Sequence, residues 1–247
     1  MRTKDDHMRN GQLKPCYNWQ FSTHKQFVVN YTVEQTTTDT TTLPGHLSEH
    51  EKLYGEYPDI ATADSGYGSE ENYEFLEKNN IEPFVKFNYF HKEQTRKFKA
   101  NIFHKDNLYY NPTQDCFYCP MGQKMAKTAT FVRKTSTGFE QHVTQYQAQN
   151  CNGCPLRGAC YKAKDNRIIE VNQNLERHKQ NARNKLLSEE GVKRCGQRCA
   201  DVEATFGLIK NNKGFRRFML RGKRKVEIET GLIALAHNLS KASVKTT

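Results

Sequence analysis

Apolar and polar positions first alternate clearly at residues 16–34. Tyr17, Trp19 and Phe21 are separated by polar residues, and Phe27, Val28, Val29, Tyr31 and Val33 come after the turn-like Ser22-Thr23-His24. Aromatic and β-branched enrichment around a short turn predicts a β-hairpin. A Thr-rich, low-complexity stretch comes next, where Asp39 or a neighbouring Thr is placed to cap a helix near residues 40–53. Residues 59–63 read as a short strand ended by Asp64-Ser65-Gly66. Ser69, with Glu70 and Glu71 after it, predicts an N-cap with acidic side chains on the positive end of the helix dipole. Residues 81–87 form the next expected strand.

The rhythm breaks over residues 88–170, which are aromatic, basic and cysteine-containing, with short strand-like pieces such as Thr130-Phe131-Val132. This stretch reads as an insertion poor in core residues. Helical patterning returns, with helices expected over about 172–190, from near Lys193 to about Asn211, and over about 223–241. On the last of these, Val226, Ile228, Leu232, Ile233, Leu235, Ala236 and Leu239 recur at spacings of three and four, which marks a buried face. Hairpin, helix, strand, helix and strand, then helices, predict an α/β fold around a mixed sheet with flanking helices. The expected divisions are residues 1–90, a cysteine-rich insertion at 91–170, and a helical part at 171–247. No internal repeat is visible.

Composition changes this picture in two ways. The net charge of +11 over 247 residues is unevenly placed: residues 1–90 carry −6, residues 91–170 carry +7 and residues 171–247 carry +10. A basic C-terminal surface suggests a polyanionic partner, and a solvated basic helix gives the same pattern. No apolar run is long enough for a membrane span, and no apolar segment marks a secretory signal, so the expected setting is cytoplasmic, without a membrane partner.

Five of the eight cysteines fall in two knots, Cys116 and Cys119, then Cys151, Cys154 and Cys160. Paired CxxC spacings without a secretory signal read as metal or redox sites before disulfides. Cys116, Cys119, Cys151 and Cys154 would satisfy tetrahedral zinc, with Cys160 as an alternative ligand. Packing of reduced thiols as small hydrophobes is the competing reading. Cys195, Cys199 and Cys16 are expected to be packing residues. His237, on an apolar helix, is expected to be a satisfied core histidine.

Two carboxylates stand out. Asp64 ends a predicted strand beside Gly66, where α/β sheets gather ligands, although most such residues are turn or cap residues. Glu203 heads a stretch, Ala204 to Val226, with no acidic residue and with Lys210, Lys213, Arg216, Arg217, Arg221, Lys223, Arg224 and Lys225. Glu203 and Lys210 are seven residues apart and would share one helix face. One carboxylate heading a basic, Phe-punctuated run fits a metal ligand beside a phosphate-binding track, and a solvated helix with one acid fits it equally.

The segments ATADSGYGSEENYEFL and DVEATFGLIKNNKGFRRFMLRG…ETGLIALAHNL resemble the second-aspartate and glutamate blocks of bacterial DDE-type insertion-sequence transposases, nearest to the insertion sequence 1182 group. GQLKPCYNWQFSTHKQFVVNY resembles the hairpin of the same enzymes. The resemblance implies a ribonuclease-H-like core, cytoplasmic and nucleoid-associated in a bacterium, acting on transposon-end and target DNA. It makes Asp64 the second catalytic aspartate, Glu203 the catalytic glutamate and Lys210 a phosphate contact near the scissile bond. Arg198 lies near the family's signature arginine. The carboxylates would hold two Mg²⁺ ions for in-line displacement at phosphorus.

The same resemblance implies a first aspartate in an Asp-Gly-Thr context on a strand before the hairpin. Asp5 and Asp6 stand near that place without the context. The expectation is therefore a C-terminal fragment, inactive alone, lacking both that aspartate and the N-terminal DNA-end-binding region. Against active cleavage stand two other readings: a non-catalytic remnant that binds DNA or the full-length enzyme, and an unrelated zinc-ribbon-like nucleic-acid binder.

Overall fold

The computed structural model describes residues 2–5 and 13–245, with side chains from 16 to 243. In chain order the elements are β1 (Arg2–Asp5), β2 (Leu13–Pro15), β3 (Asn18–His24), β4 (Phe27–Glu34), α1 (Leu43–Tyr54), β5 (Ile60–Ala63), α2 (Glu70–Lys78), β6 (Glu82–Val85), α3 (Phe90–Glu93), α4 (Arg96–Lys99), β7 (Tyr109–Asn111), β8 (Cys116–Tyr118), β9 (Lys124–Lys134), β10 (Glu140–Ala148), α5 (Arg157–Cys160), β11 (Ile168–Val171), α6 (Gln173–Leu186), α7 (Glu189–Arg198), α8 (Ala204–Gly207) and α9 (Lys223–Lys245). Asp6 and the Asp5 side chain lie outside the described residues. The chain divides into two compact units, Met1–Phe87 with Asn184–Thr247, and Asn88–Arg183.

In the first unit β3 and β4 form the expected antiparallel hairpin. Its turn is Lys25-Gln26, with φ of 50° and 68°, rather than Ser22-Thr23-His24, which belong to β3. Two successive left-handed residues give a tight turn whose twist suits the strands. The hairpin buries Phe21 and Val28 against Ile209 and Ala234, with Trp19, Phe206 and Phe215 packed around them.

Strands β5 and β6 pair in parallel, and α2 supplies the crossover that parallel pairing requires. Ser69 caps α2 as its sequence predicts, its Oγ accepting from Asn72 N at 3.3 Å. At α1 the N-cap position falls on a threonine of the Thr-rich run, Thr42, but without a side-chain cap bond, and Pro44 in the first turn needs no partner for its nitrogen. The Asp39 carboxylate is turned instead to Asn18.

The architecture is mixed α/β, but the mixed sheet expected around residues 1–90 is not formed as one sheet. Among the described residues the β3–β4 and β5–β6 ladders are separate two-stranded sheets. The largest sheet lies in the second unit, and it is antiparallel, in the order β11-β10-β9-β8-β7.

That second unit is not poor in core residues. Phe117, Met125, Tyr146, Ile169 and Val171 bury one face of its sheet. Asp115, at φ 43°, accepts from both Tyr110 Oη at 2.9 Å and Tyr146 Oη at 2.6 Å and clasps β8 to β10. These hydroxyls hold the Asp115 carboxyl below its usual value, Tyr146 contributing most.

The C-terminal helices also depart from the reading at two points. Ser188, accepting from Gly191 N at 3.1 Å, starts α7 at Glu189, before Lys193. On α9 the apolar residues split between two faces. Val226, Ala234 and His237 are buried, whereas Ile228, Leu232, Leu235 and Leu239 are exposed. The helix packs on β4.

Candidate active site and nucleic-acid interface

Asp64 lies directly after β5. Its Oδ1 accepts from Gly66 N at 2.9 Å, which fixes the side chain at the head of a short 3₁₀ turn over Ser65–Tyr67. Its Oδ2 accepts from Arg198 Nη2 at 3.1 Å. The other branch of that guanidinium, Nη1, donates to Glu203 Oε1 at 3.1 Å. Asp64, Arg198 and Glu203 therefore meet at one point. The Arg198 side chain is 13% exposed, while those of Asp64 and Glu203 are 46% and 62% exposed, so the guanidinium is the rooted member and the carboxylates open outward.

A third carboxylate, Asp39, stands close by. A Cβ built on Gly66 would lie 3.0 Å from Asp39 Oδ2 and 3.1 Å from Asp64 Oδ1, so only glycine fits between the two acids without displacing one. Asp39 Oδ1 accepts from Asn18 Nδ2 at 2.5 Å and Gln20 Nε2 at 3.4 Å. Tyr67 shares the pocket. Burial first, then the negative charge of Asp39 and Asp64, pushes its hydroxyl pKa up, with Arg198 opposing. That shift keeps the hydroxyl protonated. The sequence pattern suggests a helix cap at Asp39 and gives Tyr67 no role. The only signal there is a polar Asp-Thr run with no apolar period.

Glu203 and Lys210 lie in a continuous helical run after α7, but two π-helical turns, Cys199–Glu203 and Leu208–Asn212, flank α8. Each widens the helix and shifts the phase of the residues after it, so straight α spacing does not describe this face. Lys210 Nζ sits 4.6 Å above the Phe206 ring, which stacks on Phe21 at 5.0 Å.

The basic track is a loop pinned by aromatic anchors. Phe215 and Phe218 pack on Trp19 at 5.2 Å and 5.4 Å between ring centroids. The Glu229 carboxylate accepts from Met219 N and Leu220 N, both at 2.9 Å. Between these anchors Arg216, Arg217 and Arg221 are exposed, as are Lys223, Arg224 and Lys225 at the start of α9. Lys213 Nζ donates to Ala236 O at 3.2 Å, and Lys223 Nζ pairs with Glu34 at 3.2 Å. The phenylalanines that the sequence shows among the arginines are thus the pins that hold the arginines outward.

The Transposase DDE domain family model matches residues 118–243, just over half of the chain. The chain belongs to the transposase DDE domain family. No curated protein and no solved structure matches it. The DDE match takes in Glu203, Arg198, Lys210 and the whole basic track, and begins after Asp64. DNA is the general partner of such a domain, and among the described residues no helix is long and apolar enough to cross a membrane.

DDE transposase domains generally use divalent metal ions. Oxygen donors of the Asp64 and Glu203 type suit Mg²⁺. Here one guanidinium bridges both carboxylates and offsets one of their two negative charges, and among the described residues no group of three or more His, Cys, Asp or Glu is arranged to hold a metal ion. The described residues as arranged therefore do not fit a two-metal centre.

Of the expected zinc ligands, Cys116 stands apart from the rest. It is fully buried, its Sγ 3.8 Å from Gln114 Oε1, and it alternates on β8 with Phe117 of the sheet's core. Cys119, Cys151, Cys154 and Cys160 instead line a small cavity with Arg167, which donates through Nη1 to Cys160 Sγ at 3.0 Å. All eight cysteines are free thiols. Cys199 is exposed rather than packed. His237 is a satisfied core histidine, bonded through Nε2 to Gln26 O at 2.8 Å.

Proposed function

We propose that this DDE domain holds the second aspartate and the glutamate of a DNA-cutting and strand-joining centre, as Asp64 and Glu203, and binds DNA through the loop and helix start at residues 210–225. The observation that carries the reading is the Arg198 bridge, which brings two carboxylates from distant parts of the chain to one point. A solvated helix with one acid has no reason to place it there.

In this reading Arg198 keeps the two acids from repelling each other and orients both toward the DNA. Arg216, Arg217, Arg221 and Arg224 contact phosphates and set the register of the duplex without reading sequence. The β3–β4 hairpin and the parallel β5–β6 pair are read as parts of a ribonuclease-H-like core, and the group is that of insertion sequence 1182, acting on transposon ends and target. Cutting by Mg²⁺-dependent phosphoryl transfer belongs to a complete centre with a third carboxylate. Asp64 and Glu203 are bridged by Arg198, and Asp39 beside them is held by Asn18 and Gln20, an arrangement that favours DNA binding over cleavage. Such a chain would act on the DNA sites, or on the full-length enzyme, as a competitor.

Glu203→Gln tests the separation of roles. It should leave affinity for duplex DNA unchanged, whereas reversing Arg216 and Arg217 to Glu should weaken it strongly. Equal loss in both variants would remove the support for Glu203 as a residue of the reacting centre.

A further inference from the structure

Four cysteines of the second unit, Cys119, Cys151, Cys154 and Cys160, line one cavity of about 20 Å³. That is room for a single atom the size of a water oxygen and not for an organic ligand. Two tight turns bring the sulfurs in. After β8 the chain reverses over Cys119–Gln123. Gly122 N donates to Cys119 O at 2.8 Å, and Cys119 N donates to Gln123 O at 2.9 Å. After β10 it turns again, and Cys154 N donates to Cys151 O at 3.4 Å. Gly122 and Gly153, at φ of 76° and 68°, let the backbone fold back beside each cysteine in a conformation that side chains disfavour. Cys160 closes α5, its N donating to Leu156 O at 2.8 Å.

The charges around the cavity are one-sided. No carboxylate and no imidazole lines it, but two cations do, Arg157 and Arg167. Arg167 is buried. Its guanidinium donates to Cys160 Sγ at 3.0 Å and to Phe103 O at 2.6 Å. Arg157 donates to the carbonyls of Cys151, Ala163, Lys164 and Asp165. Among the described residues neither arginine is paired with a carboxylate. A buried guanidinium needs a compensating negative charge. The sulfurs are the groups on the cavity wall that can carry one. Arg167 also donates its backbone N to Cys151 Sγ at 3.4 Å, so two of its N–H groups aim at sulfur. A thiol is a weak acceptor, and a charged acceptor is a strong one.

We propose that Cys119, Cys151, Cys154 and Cys160 form a structural zinc site, with Cys160 in the place that spacing alone gives to Cys116. Four thiolates around one Zn²⁺ carry a net charge of −2, which Arg157 and Arg167 offset. An all-sulfur set selects Zn²⁺ over Mg²⁺. The thiols line the cavity without three of them converging as ligands. Each Sγ turns about one bond among three staggered settings, and that rotation closes the set on the ion. The ion ties the β8–β9 turn to the long connection between β10 and β11, where α5 has just 4 residues. Cys119 and Cys151 already pack against the sheet's core, so the tether is anchored on both sides. Metal binding then contributes directly to the folding of that connection. The site uses neither Asp64 nor Glu203, and it stands or falls apart from the roles assigned to them.

The test is a titration of the full chain, reduced and stripped with a chelator, first with Co²⁺ and then with Zn²⁺. The expected result is one Co²⁺ per chain, with the visible absorption of tetrahedral cobalt and the charge-transfer absorption of four thiolates, both abolished by one equivalent of Zn²⁺. Cys160→Ser should lower the charge-transfer intensity by about a quarter, as one of four thiolates is lost. It should also weaken Zn²⁺ binding by about a hundredfold, whereas Arg167→Met should keep the spectrum and weaken Zn²⁺ by about tenfold. Cys116→Ala should leave spectrum, stoichiometry and affinity as in the wild type. Circular dichroism of each variant reports whether it is folded, and the wild-type spectrum decides without any variant. No tetrahedral thiolate absorption in the wild type would overturn the proposal. So would an unchanged spectrum in Cys160→Ser, or a spectrum lost in a folded Cys116→Ala, because the ligand set would then be the one that spacing alone suggests.

Discussion

Arg198 Nη2 lies 3.1 Å from Asp64 Oδ2, although 134 residues separate the two in the chain. The contact closes the end of β5 onto the helical run that carries Glu203, and it sets the charge of the site. An acid pair on a rooted guanidinium keeps one of its two negative charges, so its attraction for a cation is reduced.

Removing that guanidinium should restore the attraction. Arg198→Ala is expected to raise affinity for Mn²⁺ by about tenfold or more, because two facing carboxylates lose their counter-charge. Arg198→Lys, with a point charge in place of a fork, should serve one carboxylate and give an intermediate value. Isothermal titration of wild type, both variants and Asp64→Asn/Glu203→Gln reads this. Unchanged affinity in Arg198→Ala would mean that the two acids do not face a common point in solution.

The basic track should behave as a phosphate reader with unequal members. Arg216→Ala/Arg217→Ala is expected to weaken binding to unrelated duplexes alike and to lower the log–log salt slope by about 2, close to 0.9 per phosphate contact. Lys223, already paired with Glu34, should matter less than its exposed neighbour Arg224. Fluorescence anisotropy over a salt series checks both. A sequence-selective loss would contradict phosphate positioning.

His46 gives the fold a pH limit. It is buried between Ser22 Oγ at 2.7 Å from Nε2 and Thr32 Oγ1 at 2.8 Å from Nδ1. Burial first, then the neighbouring His50, lowers its pKa to about 4. The folded state favours the neutral ring, so this contribution is complete above the unfolded pKa near 6.5 and is lost as pH falls toward 4. The loss amounts to about 3 kcal/mol. Chemical denaturation between about pH 7.5 and 4.5 should show it, and His46→Gln should flatten the dependence. A parallel decline in that variant would place the pH sensitivity elsewhere.

Gly231 marks where α9 meets the hairpin. A Cβ there would collide with Tyr31 Oη and lie 3.1 Å from Tyr31 Cζ. Gly231→Ala should destabilise the protein by about 1–3 kcal/mol, as overpacking does. Adding Tyr31→Phe removes the closer contact and should recover part of the loss. Thermal melts of the single and double variants decide it. A neutral Gly231→Ala would show that α9 does not rest on β4 at that spacing.

Much of this structure is legible in the residue pattern, and the failures have physical causes. The aromatic alternation at Trp19 and Phe21 declares β3, but its turn carries no glycine or asparagine, so Lys25-Gln26 gives no signal. Strand β10 escapes the pattern because most of its residues are polar; the bulge in its ladder is at Thr128 of β9. Of its buried residues, Tyr146 and Ala148 alternate into the core cluster and Val143 lies outside that cluster. The apolar spacing on α9 suggests one buried face, although helical spacing serves two stripes equally well. Asp64, Glu203 and Arg198 are legible as motif residues. Their meeting at one guanidinium is not, since the contact spans the chain and only folding creates it. The separation of Cys116 from the cavity that the other four clustered cysteines line is equally invisible to a CxxC count.

DNA binding with an incomplete cutting centre can be checked in one assay, by incubating the chain with supercoiled plasmid and Mn²⁺ beside Asp64→Asn. The expected result is a retarded but uncut plasmid, identical for both proteins. Metal-dependent nicking by the wild type that disappears in Asp64→Asn would contradict it, because the chain would then complete the centre by itself.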